Sequence, residues 1–121
     1  MINYINAQQV EDVIKAEQTC ILNLVAAWCS DCTKQSENFD SFAREFAVQD
    51  VPVYQVNVQN DKNVFLSSLE QQLTEKFGGH GFPRTILIKK GKAVDTDNVE
   101  IISAAQLTAL ADKFKELLSL Y

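Results

Sequence analysis

Hydrophobic and polar positions along the chain follow two different periods, and they predict strands and helices in alternation. Residues 20–27 are apolar at nearly every position, which predicts a central strand covered on both faces. Residues 53–58 alternate between apolar and polar side chains, the period of a strand. Apolar residues spaced three and four apart follow the central strand to about Val48 and recur from Leu107 to Tyr121, as in amphipathic helices.

Capping and turn residues place the remaining boundaries. Asn6 with Gln9, and Ser103 with Gln106, have the spacing of capping boxes and predict the starts of the first and last helices. The other predicted elements are a helix over 62–77 with Asp61 as its cap and Gly78-Gly79 at its end, and strands over 2–5, 84–89 and around 92–96, with 95–98 as a loop.

These elements predict an α/β fold with the order β-α-β-α-β-α-β-β-α. Strands that alternate with helices imply a parallel portion, and the late hairpin adds antiparallel strands. The result is a mixed central sheet with helices on both faces. On the helix that follows the central strand, the polar positions are predicted to face solvent: Lys34, Gln35, Glu37, Asp40, Arg44 and Glu45.

Length and charge narrow the classes of protein. The 121 residues suit one domain over 1–121, and the net charge of −5 without a basic block argues against a nucleic-acid partner. No apolar run reaches the length of a membrane span, and the N-terminus lacks the pattern of a signal peptide. Three cysteines, an odd number, fit a reducing cytoplasm. No second surface patch argues for a dimer, so we expect a monomer.

The sequence Trp28-Cys29-Ser30-Asp31-Cys32 carries the candidate chemistry, because it lies where the central strand leads into a helix. The first turn of a helix has unpaired N–H groups and a partial positive charge, and both stabilise a thiolate at Cys29. One turn further on, Cys32 can close a disulfide with it. This arrangement predicts a site of thiol–disulfide exchange.

Three other interpretations of the paired cysteines stay open at this point. They are two inert core cysteines, a structural disulfide, or half of a zinc site with Cys20 and His80 as the remaining candidates. Zinc prefers four ligands, and Cys20 has no close second cysteine, which disfavours a metal site. Cys20 is expected to be a small buried residue of the strand.

The element order, the Trp-Cys-x-x-Cys sequence and the Gly-x-Pro before the hairpin resemble the thioredoxin family over nearly the whole chain. The resemblance implies that Cys29 attacks a substrate disulfide and that Cys32 resolves the mixed disulfide. It also implies that Trp28 flanks the site, that Pro83 is a cis-proline opposite the cysteines, and that the backbone of Phe82 binds an extended substrate. Implied partners are disulfide-containing proteins and a thioredoxin-reductase-like electron donor, with no cofactor.

The sequence departs from the family pattern beside the cysteines. Asn23 stands where thioredoxins carry a buried acid that moves protons, and an amide cannot titrate. Ser30-Asp31 replaces Gly-Pro, and a carboxylate near the sulfurs opposes thiolate formation, which favours a more reducing couple. Asp31 alternatively serves only the first turn of the helix. An Asp here also resembles a cytosolic thioredoxin-related subgroup with narrower substrates.

Further departures lie around Pro83. Arg84 stands where the family often has Thr. It either lies beside the groove that binds the extended substrate, where it meets acidic substrates, or points into solvent. His80 is expected either near the sulfurs, where it favours thiolate, or in a solvated loop. The segment 61–82 is longer than in thioredoxins, which predicts a longer third helix. These departures also allow a second function: a thioredoxin-fold binding module whose cysteines cycle little.

Overall fold

The computed structural model describes residues 2–79 and 81–119. Within them the chain forms a mixed sheet with strand order β1-β3-β2-β5-β6, and a short strand, β4, pairs with β3. The elements in chain order are β1 (Ile2–Tyr4), α1 (Ala7–Lys15), β2 (Cys20–Ala26), α2 (Ser30–Ala47), β3 (Val53–Asp61), β4 (Val64–Phe65), α3 (Ser68–Lys76), β5 (Arg84–Lys89), β6 (Lys92–Val99) and α4 (Ala104–Ser119).

Strand β2 is the middle of the sheet, and every one of its residues is buried. It runs parallel to β3 and antiparallel to β5, so both of its edges are hydrogen-bonded. The prediction of a central strand covered on both faces is therefore confirmed. Because β2 and β5 are antiparallel, the end of β2 lies beside the start of β5, and Leu24 pairs with Arg84. This pairing brings the residues after β2 close to Pro83.

Each face of the sheet has its own hydrophobic core. On one face, Ala7 and Val10 of α1 and Leu73 of α3 pack with alternate residues of β2 and β5. On the other, α2 and α4 pack together through four stacked or edge-on phenylalanines: Phe39, Phe42, Phe46 and Phe114. The predicted mixed sheet with helices on both faces is confirmed.

The predicted caps of the first and last helices are confirmed by their hydrogen bonds. Asn6 and Gln9 form both bonds of a capping box at α1. At α4 the Gln106 amide N–H donates to Ser103 Oγ, and the Ser103 N–H donates to Gln106 Oε1. Each reciprocal pair satisfies two of the N–H groups that a helix start leaves without partners.

The predicted third helix is wrong in its first third. Residues 61–65 form a β-hairpin instead, in which β4 pairs with the end of β3 and Asn63 takes a φ of +64° in the turn. The helix starts only at Ser68, where Ser67 Oγ accepts from the Leu69 N–H. This segment therefore forms a hairpin followed by a shorter helix rather than one long helix.

The predicted loop at 95–98 is also wrong, since β6 continues to Val99. Two polar residues stay in the strand because each has a partner. The Asn98 amide donates to the Thr85 carbonyl, and Lys113 of α4 contacts both Asn98 and Asp95. In addition, no helix among the described residues is long and apolar enough to cross a membrane.

Candidate active site

Cys29 is the N-cap residue of α2, and its sulfur accepts a hydrogen bond from the backbone N–H of Cys32 at 3.2 Å. The thiol itself donates toward the carbonyl of Phe82 at 3.6 Å. The Phe82–Pro83 peptide is cis, as the resemblance implied. The helix start and the turn before β5 therefore meet at one sulfur, which receives the N–H that would also stabilise its anion.

Cys32 lies in the first turn of α2, three residues after Cys29, and both cysteines are free thiols. Only 5% of Cys29 and 9% of Cys32 is exposed, but Cys29 lines the surface groove and Cys32 does not. Burial raises the pKa of the Cys32 thiol well above its usual range, and a hydrogen bond with Cys29 adds to this shift, as do the charges of Cys29 and Asp31. One sulfur thus faces the groove, and the other holds its proton inside.

The groove beside Cys29 has a volume of about 380 Å³. Trp28 forms one wall and is 39% exposed, and its ring meets Phe82 edge-on at 6.3 Å. The residues that line the groove are Trp28, Cys29, Ser30, Asp31, Asn63, Gly81, Phe82 and Glu100. The structure therefore brings Trp28, Cys29, Ser30, Asp31 and Phe82 together, with Pro83 and Cys32 adjacent to them in the chain.

Trp28 is held by the β3–β4 hairpin. Its indole N–H donates to Gln59 Oε1 at 2.8 Å, and the same oxygen accepts from the Asn63 N–H at 3.2 Å. Lys62 places its ammonium 5.7 Å from the Trp28 ring centroid. The sequence interpretation missed Lys62 and Asn63, because a helix was predicted over 62–77, and it missed Gln59, because the preceding strand was predicted to end at Val58.

Asn23 lies at the centre of a buried amide network. Its Nδ2 donates to Gln35 Oε1 at 2.8 Å and to Gln55 Oε1 at 3.2 Å, and its Oδ1 accepts from the Thr85 hydroxyl at 2.9 Å. None of these groups titrates near neutral pH. The network therefore holds Asn23 in one orientation and provides no group that could accept a proton.

Gln35 was predicted to face solvent, and this is wrong. It is fully buried one turn after Cys32, and its Nε2 donates to the Ile101 carbonyl at 2.9 Å. A signal was present in the sequence, since Gln35 stands three residues after Cys32 and four before Phe39 and so continues the buried stripe of α2.

Asp31 is in the first turn of α2, and Ser30 is its first residue. A carboxylate at this position interacts favourably with the positive end of the helix. Asp31 also contributes to the raised pKa of Cys32 by charge repulsion of the thiolate. Both alternatives considered for Asp31 therefore have a physical basis here, and they act together.

Arg84 does not point into solvent, and it is not part of the groove lining. Only 5% of it is exposed, and its guanidinium donates to the Thr96 carbonyl at 2.9 Å. The guanidinium packs so closely on Gly78 that a Cβ there would lie 2.4 Å from it, and Gly78 has a φ of +122°. Arg84 therefore fixes the loop before Pro83. The expectation for His80 lies outside the described residues.

Cys20 is buried in β2, as expected, and burial raises its pKa to about 12. It is therefore not a reactive thiol at neutral pH. Within residues 2–79 and 81–119, no group of three or more His, Cys, Asp or Glu side chains is arranged to hold a metal ion.

Comparisons with known proteins agree on one family. The sequence matches the family model Thioredoxin over residues 2–116. A thioredoxin of Pseudomonas aeruginosa is 29% identical over 112 residues, which cover 93% of this chain and 94% of that protein. The fold is similar to that of Fasciola hepatica thioredoxin, with a TM-score of 0.67 and 18% identity over 93% of this chain and 98% of that one.

A second solved structure shows the same fold in a complex. It contains ferredoxin:thioredoxin reductase and thioredoxin f2, and the matching chain has a TM-score of 0.71 at 14% identity. The match covers 94% of each chain. At this identity the likeness describes the fold alone.

Proposed function

This chain belongs to the thioredoxin family and is a thiol–disulfide oxidoreductase, and we propose that Cys29 and Cys32 are its redox couple. The observation that supports these roles is the unequal placement of the two sulfurs. Cys29 lines the groove at the start of α2, whereas Cys32 does not line it and has a raised pKa. A sulfur that meets the substrate is the attacking group, and one outside the groove lining is suited to finish the exchange.

In the first proposed step, the Cys29 thiolate attacks one sulfur of a substrate disulfide. An S–S bond forms between Cys29 and the substrate, the substrate's own S–S bond breaks, and the other substrate sulfur leaves as a thiolate that takes up a proton. The N–H of Cys32, 3.2 Å from the Cys29 sulfur, stabilises the charge before the attack.

In the second step, Cys32 loses its proton and attacks the Cys29 sulfur. The mixed disulfide breaks, the second substrate sulfur leaves as a thiolate that takes up a proton from water, and a Cys29–Cys32 disulfide remains. Two electrons have then moved from the protein to the substrate, and the two protons that the cysteines lost are balanced by the two that the substrate thiols took up. Because Asn23 and its neighbours cannot accept a proton, we propose that water or Asp31 takes the proton of Cys32.

We propose that the substrate lies extended along the groove. The backbone at Phe82, next to cis-Pro83, lies against the Cys29 sulfur and offers strand-like hydrogen bonds. Trp28 covers the adjacent apolar surface. Backbone bonding of this kind accepts many sequences, which suits disulfide-containing proteins as substrates.

The oxidised protein needs a reductant to start again, and we propose a thioredoxin-reductase-like partner. The fold shared with a chain of the ferredoxin:thioredoxin reductase–thioredoxin f2 complex supports this proposal. We further propose a cytoplasmic monomer whose residues 1–121 form one domain. The surplus thiol, Cys20, is buried and suits a reducing compartment.

A disulfide-reduction assay tests the proposed roles. We expect Cys29→Ser to abolish insulin reduction, and Cys32→Ser to accumulate a mixed disulfide at Cys29 that mass spectrometry detects. Cys20→Ala is the matched control, because it removes a thiol that does not line the groove. If wild-type activity is no higher than that of Cys29→Ser, the redox roles fail and the binding-module interpretation gains support.

A further inference from the structure

The groove beside Cys29 is anionic, and its charge comes from two elements that are distant in sequence. Among the eight residues that line it, the charged side chains are Asp31 of α2 and Glu100, which follows β6. The sequence interpretation considered Arg84 as a contact for acidic substrates, but only 5% of Arg84 is exposed. Its guanidinium packs against Gly81, with Nη2 3.5 Å from the position of a Cβ there, and donates to the Thr96 carbonyl. The charged side chains that line the groove itself are therefore both negative.

The backbone of Glu100 is held at the groove. Its N–H donates to the carbonyl of Pro83 at 2.8 Å, directly beside the cis peptide. The φ angle of Glu100 is +59°, in the left-handed region that residues other than glycine and asparagine seldom adopt. The side chain is exposed, and none of the ion pairs found in the described part of the chain involves it.

Two cations near the groove, Arg84 and Lys62, are not among its lining residues. Lys62 lies against the Trp28 ring on the hairpin, and it is not a lining residue. A polypeptide that places its disulfide at Cys29 must pass Asp31 and Glu100 on the way. A positive charge on the substrate lowers the energy of its encounter with these carboxylates, and a negative charge raises it.

We propose that Glu100, together with Asp31, selects substrates whose half-cystine is flanked by lysine or arginine. This inference rests on the proposed function, since it requires that the substrate disulfide lies at Cys29. Glu100 is outside the reacting atoms, so its effect is on encounter and binding, whereas Asp31 also acts on the thiol of Cys32. For exposed charges we expect a preference of roughly threefold to tenfold, which salt reduces.

Three peptide disulfides that differ only beside the cysteine test this proposal. The residues flanking cysteine are lysine in one peptide, glutamine in the second and glutamate in the third. Each is reduced by the full, pre-reduced protein in single turnovers at low salt and at 0.5 M salt. Rates with dithiothreitol, a neutral thiol, correct for the intrinsic reactivity of each peptide.

We expect the corrected rate to fall from the lysine to the glutamine to the glutamate peptide, with a smaller spread at high salt. Glu100→Gln should narrow this spread about threefold, and Glu100→Lys should narrow it further or reverse it. Both variants keep a non-glycine residue at the same φ, so they share the backbone constraint. Glu116→Gln is the matched control, because it removes an exposed carboxylate away from the groove. Lys89, at the end of β5 opposite Pro83, bonds the neighbouring Leu117 and Leu118 carbonyls, which places Glu116 at that end.

The possible outcomes distinguish a failure of the charge selection from a failure of the redox roles of the cysteines. Equal corrected rates for the three peptides, or a spread that both Glu100 variants leave unchanged, would overturn the charge selection and leave the redox roles intact. If wild type reduces none of the peptides faster than Cys29→Ser does, the redox roles fail, and the charge selection fails with them.

Discussion

At the residue scale, the amide network below α2 decides which protonation changes the site can make. Asn23 is bonded to Gln35, Gln55 and Thr85, and each of its polar atoms has a partner. Such a network is stable only while donors face acceptors. A single change of Asn23 Nδ2 to an oxygen would place a carboxylate against two amide oxygens.

We therefore expect Asn23→Asp to lower the free energy of unfolding by about 2–4 kcal/mol at pH 8. Burial raises the pKa of the new carboxyl in the folded state above its unfolded value of about 4, because the Thr85 hydroxyl donates to one of its oxygens while the other faces two amide oxygens. A raised pKa favours folding only while the group stays protonated, so the deficit should be smaller at pH 5 and grow as the pH rises. Urea unfolding of the reduced protein at both pH values measures it.

Asn60→Asp is the matched control for this prediction. The Asn60 side chain is exposed, and its Oδ1 accepts from Asn57, an acceptor role that aspartate keeps. We expect a change within about 0.5 kcal/mol for it. An Asn23→Asp variant as stable as wild type at pH 8, or a deficit that grows on acidification, would contradict the network as described.

The buried thiol of Cys20 predicts a second pH dependence. Burial raises its pKa from 9.0 to about 12 in the folded protein. Between these values the unfolded chain loses the proton and the folded chain keeps it, so stability is present below about pH 9 and is lost as the pH rises, by up to about 1.4 kcal/mol per pH unit. Comparing wild type with Cys20→Ala from pH 7.5 to 10, in reductant, isolates this slope, since Cys32 remains in both.

Cys20→Ala should start from a lower stability, because it removes a buried sulfur, but it should lose less as the pH rises. Parallel curves for the two proteins would show that Cys20 ionises as easily in the folded chain as in the unfolded one. That result is incompatible with its position in the all-buried strand β2.

Sequence patterns predicted individual residues unevenly, for a physical reason. Asn6, Ser103 and the two cysteines were placed correctly because their roles depend on neighbours three residues away in the chain. Gln35 and Arg84 were misplaced because their partners, Asn23 and Thr96, are distant in sequence. A polar side chain is exposed by default, and only a tertiary partner makes its burial favourable.

At the element scale, the β3–β4 hairpin is the part of the fold that the pattern did not reveal. Phe65, Leu69, Leu73 and Phe77 are spaced four apart and all pack toward the same core, so they resemble one helix face. The first belongs to a strand and the next two to α3. Asn63, which tolerates positive φ, was the local signal for a turn.

The hairpin's contact with Trp28 gives a prediction about the wall of the groove. Gln59→Met keeps most of the side-chain volume but removes the oxygen that accepts from the Trp28 indole and from the Asn63 N–H. We expect a cost of about 1–2 kcal/mol in stability and a more mobile indole. Since Trp28 is the sole tryptophan of the chain, its acrylamide quenching and anisotropy report this directly.

In the disulfide-reduction assay, Gln59→Met should raise KM several-fold and change kcat less, because Trp28 lines the groove and is not one of the groups that exchange bonds. Gln71→Met, at an exposed position of α3, serves as control. Unchanged quenching together with unchanged KM would mean that the hairpin does not hold the tryptophan in solution.

At the scale of the whole molecule, the phenylalanine core and the reactive sulfurs are located in different places. The core between the sheet, α2 and α4 contains neither sulfur, whereas Cys29 and Cys32 belong to the core of the other face, at the end of the sheet where β2 leads into α2 and Pro83 precedes β5. The order of elements and their amphipathic faces follow from periodicity, and they sufficed to predict this arrangement. The environment of the sulfurs required long-range contacts and did not follow from periodicity.

This separation predicts that two substitutions act on different properties. Phe114→Leu alters the packing of α4 on Phe42 and Phe46, so it should lower the free energy of unfolding by about 1–2 kcal/mol without shifting the redox potential. Asp31→Asn removes a charge that opposes thiolate formation at Cys32. Because Cys32 keeps its proton near neutral pH, the potential should stay within about 10 mV of wild type there, whereas the Cys32 thiolate that releases the substrate should form more readily.

Any shift of the potential for Asp31→Asn, toward less negative values, should appear only as the pH rises, because the thiolate that the carboxylate repels is scarce in the reduced protein near neutral pH. Equilibration against glutathione at pH 7 and pH 8.5, with urea unfolding of the same samples, measures both properties. A potential that moves with Phe114→Leu, or one that becomes more negative with Asp31→Asn, would mean that the helix end and the core are coupled, and that the carboxylate acts mainly through the stability of α2.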